Sequence, residues 1–173
     1  MILPDVLARD LLLVFCGTAA SAASARATAY YANPGNTFWR ALHQAGFTPR
    51  QFAPGDFRNL LKLGIGLTDL CKHSAGNDSD IAFTEQDVVA LRDKLLCYQP
   101  KIAAFTSKTA WRMFSGQSAS KPTSYGWQSA QVGQTRCFVL PSPSGSARRY
   151  WDIAPWQILA DAYKRLQGAA TSC

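Results

Sequence analysis

The sequence predicts an α/β fold in which a short, mainly parallel sheet is covered by helices on both faces. Three observations carry this. Four short apolar runs are separated by stretches with helical spacing. The runs are apolar at consecutive rather than alternate positions, as strands buried on both faces require. Strands that alternate with helices pair in parallel through crossover connections.

Leu11 to Cys16 is the first strand, closed by Gly17. The stretch 36–47, NTFWRALHQAGF, places Phe38, Leu42 and Ala45 on one helical face, with Gly46 as its stop. Within 54–70 a short helix ends at Gly64, and a second strand follows over Ile65 to Thr68. Thr84 to Asp87 forms a capping box. It opens a helix whose inward stripe is Val88, Leu91, Leu95 and Leu96, ending before Pro100. Residues 101–107 are the third strand, Lys108 to Gly116 a short helix, and 116–126 a loop. A fourth strand starts at Arg136 and runs into a Pro- and Ser-rich turn that reaches Gly145. The last helix, 154–167, turns Ile158, Leu159, Ala162 and Leu166 inward, and 168–173 are expected as a frayed tail.

The 173 residues fit a single domain, 1–173, large enough to bury a core without staples. A hydrophobic fraction of 47% with 17% charged residues excludes a disordered chain. The net charge of +7 fits a polyanionic partner without establishing one. Cys16, Cys71, Cys97, Cys137 and Cys173 are widely spaced with no C-x-x-C, which favours reduced thiols in a cytoplasmic protein. Cys16, Cys97 and Cys137 lie in apolar runs, where a buried thiol is expected. The close ligand pairs of zinc and iron–sulfur sites are missing and only His43 and His73 are present, so no metal, cluster or cofactor is expected. Residues 11–21 imitate a secretion signal, yet Asp5 and Asp10 against Arg9 are wrong for its basic start. No run reaches the length of a membrane span, and a cytoplasmic monomer is the expectation.

Ligands of parallel sheets lie beyond the carboxyl ends of the strands, so the turns 17–31, 68–73 and 141–149 should converge. The first, beginning GTAAS, has the glycine spacing of neither a phosphate loop nor a dinucleotide fold. No G-x-S-x-G elbow is present, and neither histidine follows a serine in triad order. The last turn, LPSPSGSARRYW, joins stiffening prolines, small residues with open amides, two arginines and two aromatics. That composition suits close approach to phosphates; it also suits a surface loop with solvated arginines.

Five blocks in order, VFCGTAAS, ANPGNTFWRALHQAGFTP, LGIGLTDL, YQPKIAAF and VLPSPSGSAR, resemble the mismatch-specific uracil and thymine DNA glycosylases. These are a branch of the uracil-DNA glycosylase superfamily, and the resemblance spans about Val6 to Gln167. It implies a three-layer α/β/α sandwich. It also implies an enzyme that flips uracil, or another deaminated base, out of DNA and hydrolyses its N-glycosidic bond. Base excision repair follows from the abasic product, with no metal, cofactor or covalent intermediate.

Carried over position by position, Gly17 matches the first glycine of the family's GINPG turn. Ala19 falls at the asparagine that orients the attacking water, and Ala20 and Ser21 replace the proline and second glycine. An alanine side chain holds no water. Thr18, Asp69 and Ser142 are therefore the candidate catalytic side chains, Ser142 standing where the family has asparagine or histidine near the scissile bond. Tyr31 corresponds to the aromatic that stacks on the flipped base, with packing at a helix end as the alternative. Thr68 lies near the position that offers an amide to the pyrimidine edge, and Asp69 either positions water and steadies the sugar or caps the next turn. Gly145 and Arg148 match the wedge that fills the hole in the duplex. Ser144, Ser146 and Arg149 complete the DNA-contacting set, Ser146 replacing a leucine of some members. Backbone amides of Gly17 to Ala20, expected at a helix entry, would face the departing base. Two rival readings stand beside this one: a non-catalytic module that binds uracil or abasic sites in DNA, which Ala19 favours, and an enzyme of free nucleosides.

Overall fold

Successive residues of a strand face opposite sides, and that alternation divides the apolar residues into two cores. The computed structural model describes residues 1–118 and 120–170. Its strands are β1 (Leu13–Gly17), β2 (Ile65–Asp69), β3 (Ile102–Phe105), β4 (Gly126–Val132) and β5 (Thr135–Val139). They form one sheet in the order β2-β1-β3-β5-β4, parallel throughout except for β4, which runs antiparallel to β5. The helices are α1 (Ala22–Ala27), α2 (Phe38–Ala45), α3 (Glu85–Tyr98), α4 (Lys108–Ser115) and α5 (Ala154–Ala170). On one face Phe15, Leu67 and Phe138 pack with Phe38 and Leu42 of α2 and Trp156 and Leu159 of α5. On the other, Val14, Cys16, Phe105 and Val139 meet Leu91 and Leu95 of α3 and Trp111 and Phe114 of α4. The expected α/β/α sandwich is the one observed.

The details differ where local signals were weak. Strand β4 was expected neither as strand nor as partner of β5. Its sequence, GWQSAQV, is polar because the strand lies at the sheet edge; Trp127 anchors it, edge-on against Phe138 with ring centroids 5.0 Å apart. Residues Pro54–Leu63 wind as a 3-10 segment rather than an α-helix. In α3 only Leu91 and Leu95 are fully inward; Val88 is partly buried, and Leu96 and Cys97 turn out to solvent. The helical advance of about 100° per residue carries both away from the Leu91–Leu95 line. In α5 the inward line is Trp156, Leu159, Ala160 and Tyr163, spaced i, i+3, i+4 and i+7. Ile158 is 55% exposed, and Leu166 only partly buried. The helix continues through Ala170 instead of fraying at 168, while Thr171, Ser172 and Cys173 lie outside the described residues. Cys71, like Cys16 and Cys137, is buried, and these three and Cys97 are free thiols.

The capping box is realised: the Asp87 amide donates to Thr84 Oγ1 at 3.3 Å, and the Thr84 amide to Asp87 Oδ2 at 2.8 Å. Ahead of β1, residues 1–6 form a strap along the outer edge of β2. Val6 pairs antiparallel with Leu67, and the Ile2 amide donates to the Lys72 carbonyl at 2.7 Å. Among the described residues no helix is long and apolar enough to cross a membrane, and no group of histidine, cysteine and carboxylate side chains is arranged to hold a metal.

Candidate active site

The three predicted turns do converge. A cavity of about 580 Å³ opens at the carboxyl ends of the strands, lined by residues 17–21, Tyr31, Asp69 and 143–146, among others. The register makes Gly17 and Asp69 neighbours on β1 and β2. The turn after β1 is then laced to the chain after β2: the Leu70, Cys71 and Gly76 amides donate to the Gly17, Thr18 and Ala20 carbonyls at 2.8–2.9 Å. Helix α1 starts only at Ala22, with Ser21 as its cap, so the amides of Gly17 to Ala20 precede the helix rather than open it. Ala19 lines the cavity, and neither its amide nor its carbonyl bonds to another described residue.

Asp69 is 5% exposed, lines the cavity, and receives no hydrogen bond from the described residues. Burial pushes its carboxyl up to about 6; the charges of Lys72 and Lys94 offset part of that rise, and the charge of Asp5 adds to it. A carboxyl so placed changes charge near neutral pH, as a proton acceptor in a reaction must. It does not cap the next turn. A Cβ on Gly17 would come within 2.6 Å of Asp69 Oδ1, 3.2 Å of the Tyr31 hydroxyl and 3.7 Å of Thr106 Oγ1. Three side-chain oxygens thus crowd over Gly17, which has no side chain to displace them.

Tyr31 is held by what surrounds it. Ser21 Oγ accepts the Ser24 amide, Ser24 Oγ accepts the Ala32 amide, both at 3.0 Å, and Trp39 Nε1 donates to the Tyr30 carbonyl at 3.0 Å. The backbone of Tyr31 is left-handed, φ +52°, a conformation that disfavours a bulky side chain by roughly 1–2 kcal/mol. Its ring stacks on Phe38, with centroids 3.8 Å apart, so one face of the ring is already covered. Phe38 and Trp39 are both buried in the core.

Other predicted residues are placed differently. Thr68 is buried on the far side of β2, where its hydroxyl donates to Asp5 Oδ1 at 2.7 Å; alternation along the strand gives the cavity to Asp69 alone. Ser142 is absent from the main cavity. It lines a smaller one beside Arg148 and Trp151, and its hydroxyl accepts the Ser144 amide at 3.2 Å. Thr18 lines the rim and donates to Asp78 Oδ1 at 2.6 Å. Ser144 and Ser146 are bonded to each other at 2.9 Å, and Gly145 presses on the facing turn, where an added Cβ would stand 3.1 Å from the Gly35 carbonyl. Arg148 and Arg149 are exposed in the 3-10 segment Gly145–Tyr150.

Thr106 and Asn36 are among the cavity residues that the sequence reading missed. Thr106 follows β3, is 4% exposed, and its hydroxyl has only long contacts of 3.4 Å, to the Tyr31 hydroxyl and the Cys16 carbonyl. The strand-end rule applies to β3 as it does to its neighbours, and that signal was in the sequence. Asn36 spends its side-chain oxygen on the Phe38 amide at 2.9 Å, which leaves its amide nitrogen unengaged among the described residues.

The strand ends of this mainly parallel sheet thus enclose a polar cavity with a buried carboxylate, at the place where such sheets bind their ligands. The model of the uracil DNA glycosylase superfamily matches residues 4–166, and the chain belongs to that superfamily. It is also similar to the NMR structure of a Methanosarcina acetivorans protein provisionally named a uracil DNA glycosylase. The TM-score is 0.65 with 25% identity over 94% of this chain and 96% of that one. Membership supports a glycosylase-type function.

Proposed function

We propose that the chain is a monofunctional uracil-DNA glycosylase of base excision repair, acting as a cytoplasmic monomer without metal or cofactor. It flips uracil out of DNA and hydrolyses the bond between deoxyribose C1′ and uracil N1. The observation that carries this reading is Asp69, a buried carboxylate without a hydrogen-bond donor on the cavity floor. As the C1′–N1 bond breaks, its electron pair goes to the base and positive charge grows on the sugar. Ionised Asp69 takes a proton from water while the water oxygen bonds to C1′, and its charge steadies the sugar on the way. The base leaves as an anion and takes its proton from solvent. The Ala19 amide, the Thr106 hydroxyl and the Asn36 amide supply donors for the negative charge on the uracil oxygens. Tyr31 offers a ring for stacking, worth about 1–3 kcal/mol.

Single-turnover assays on oligonucleotides carrying uracil opposite guanine, opposite adenine or in a single strand test the reading. Alkali should reveal strand breaks without added metal, fastest where the base is mispaired or unpaired and flips at least cost. Bound DNA with no abasic product would favour the non-catalytic module, for which Ala19 still speaks. Failure of undamaged DNA to compete would favour the nucleoside enzyme.

A further inference from the structure

A partly buried ion cluster lies behind the cavity and has no part in the reaction just described. Asp5 of the N-terminal strap is bonded through Oδ1 to Lys72 Nζ at 2.9 Å and through Oδ2 to Lys94 Nζ at 2.7 Å. Thr68 donates to the same carboxylate, and Lys72, only 6% exposed, donates to the Tyr30 hydroxyl at 3.0 Å. Tyr30 in turn donates to the Pro4 carbonyl at 2.9 Å.

Stability alone does not call for such a cluster. An apolar replacement of a buried ion pair is often neutral or stabilising. Its position is what stands out. Thr68 immediately precedes Asp69 and Lys72 follows it by three residues. Tyr30 and Leu3 of the strap both line the cavity. One carboxylate is set against two ammonium groups, which leaves an excess positive charge behind the cavity floor.

We propose that the Asp5–Lys72–Lys94 cluster is a positioning device: it holds the strap against one wall of the cavity and fixes the net charge that Asp69 faces. The proposal rests on Asp69 acting as the base. The charges that act on Asp69 are Lys72 in its own turn, Lys94 of α3 and Asp5 of the strap; Tyr30, Tyr31 and the Cys16 thiol of β1 face it as neutral groups, held protonated by burial and by the charge of Asp69. Asp78, on the rim, is bonded to Thr18. Burial alone would raise the Asp5 carboxyl, but its bonds to Lys94 and Thr68 and the charge of Lys72 together hold it below its ordinary value. It therefore stays ionised while Asp69 titrates.

Neutralising Asp5 exposes Asp69 to two uncompensated cations and favours its charged form; removing either lysine does the reverse. The test is a carboxyl-carbon NMR titration of Asp69 in the full chain, beside the pH profile of single-turnover cleavage. Asp5→Asn should move both the Asp69 midpoint and the acid limb to lower pH, and Lys72→Met and Lys94→Met should move both to higher pH. At about pH 5 cleavage relative to wild type should then rise in the first variant and fall in the other two. Lys94, at 25% side-chain exposure, is the variant that folds even if the buried ones do not. Midpoints unchanged from wild type in the folded variants would overturn the proposal. A wild-type chain that cleaves nothing would instead sink the glycosylase reading, while the NMR titration still decides the charge coupling.

Discussion

Asp69 does two things that pull against each other. Its carboxyl stays protonated in the folded chain up to about pH 6, against about 4 when exposed. The raised value means that protonation stabilises the fold. That stabilisation is complete below about pH 4 and is lost as the pH rises through 6. Asp69→Asn should therefore make the protein more stable at pH 7, on the order of 2–3 kcal/mol in urea unfolding, while cleavage falls by roughly 10²–10⁴. Wild-type cleavage should fall as the pH drops through about 6, because only the ionised form accepts a proton. Thr106→Val keeps the shape and deletes the hydroxyl, so cleavage should fall by roughly tenfold with folding intact, while Ser142→Ala should have little effect. Asp69 was legible in the sequence as a strand-end residue, and Tyr31 through the family resemblance. The choice between Thr68 and Asp69 was not, because adjacent strand residues face opposite sides and only the register says which side holds the cavity. Ser142 was misplaced for a related reason: its hydroxyl folds back on its own turn.

At the scale of elements, the turns that build the site depend on close approach. Gly17→Ala would drive a methyl into Asp69 Oδ1, 2.6 Å from the ideal position, and the carboxylate or the turn must shift. The expected outcome is a loss of cleavage with a smaller loss of stability, read by single-turnover rates and thermal melts. The helices depend on their caps. Ser107 Oγ accepts the Ala110 amide at 3.0 Å to open α4, so Ser107→Ala should destabilise the chain by about 1 kcal/mol in denaturant without touching cleavage. Strands β1, β2, β3 and β5 were legible because they are apolar on both faces, and α3 and α4 because of their caps. Strand β4 was illegible: Gln128, Ser129 and Gln131 carry no strand signal, and the strand exists only because β5 offers it an edge.

For the whole molecule, a net charge of +7 suits a polyanionic partner, and the proposed function expects phosphate contacts from the exposed Arg148 and Arg149. Arg148→Ala should weaken DNA binding for every sequence alike and lower the slope of log affinity against log salt by about 1. An unchanged slope would remove that arginine from the phosphate contacts. The sheet order β2-β1-β3-β5-β4 has a consequence in time as well as in space. The cavity takes its walls from Leu3 at one end of the chain to Ser146 near the other, and β5, which carries the last wall, pairs only after residue 135. During synthesis the β1–β2 and β1–β3 pairs can form early, but the site cannot close until most of the chain has left the ribosome. Pairings that distant in sequence form slowly. The nascent chain therefore spends much of its synthesis as a partly built sheet with the β3 edge exposed, and its cavity is complete only when the final turn arrives.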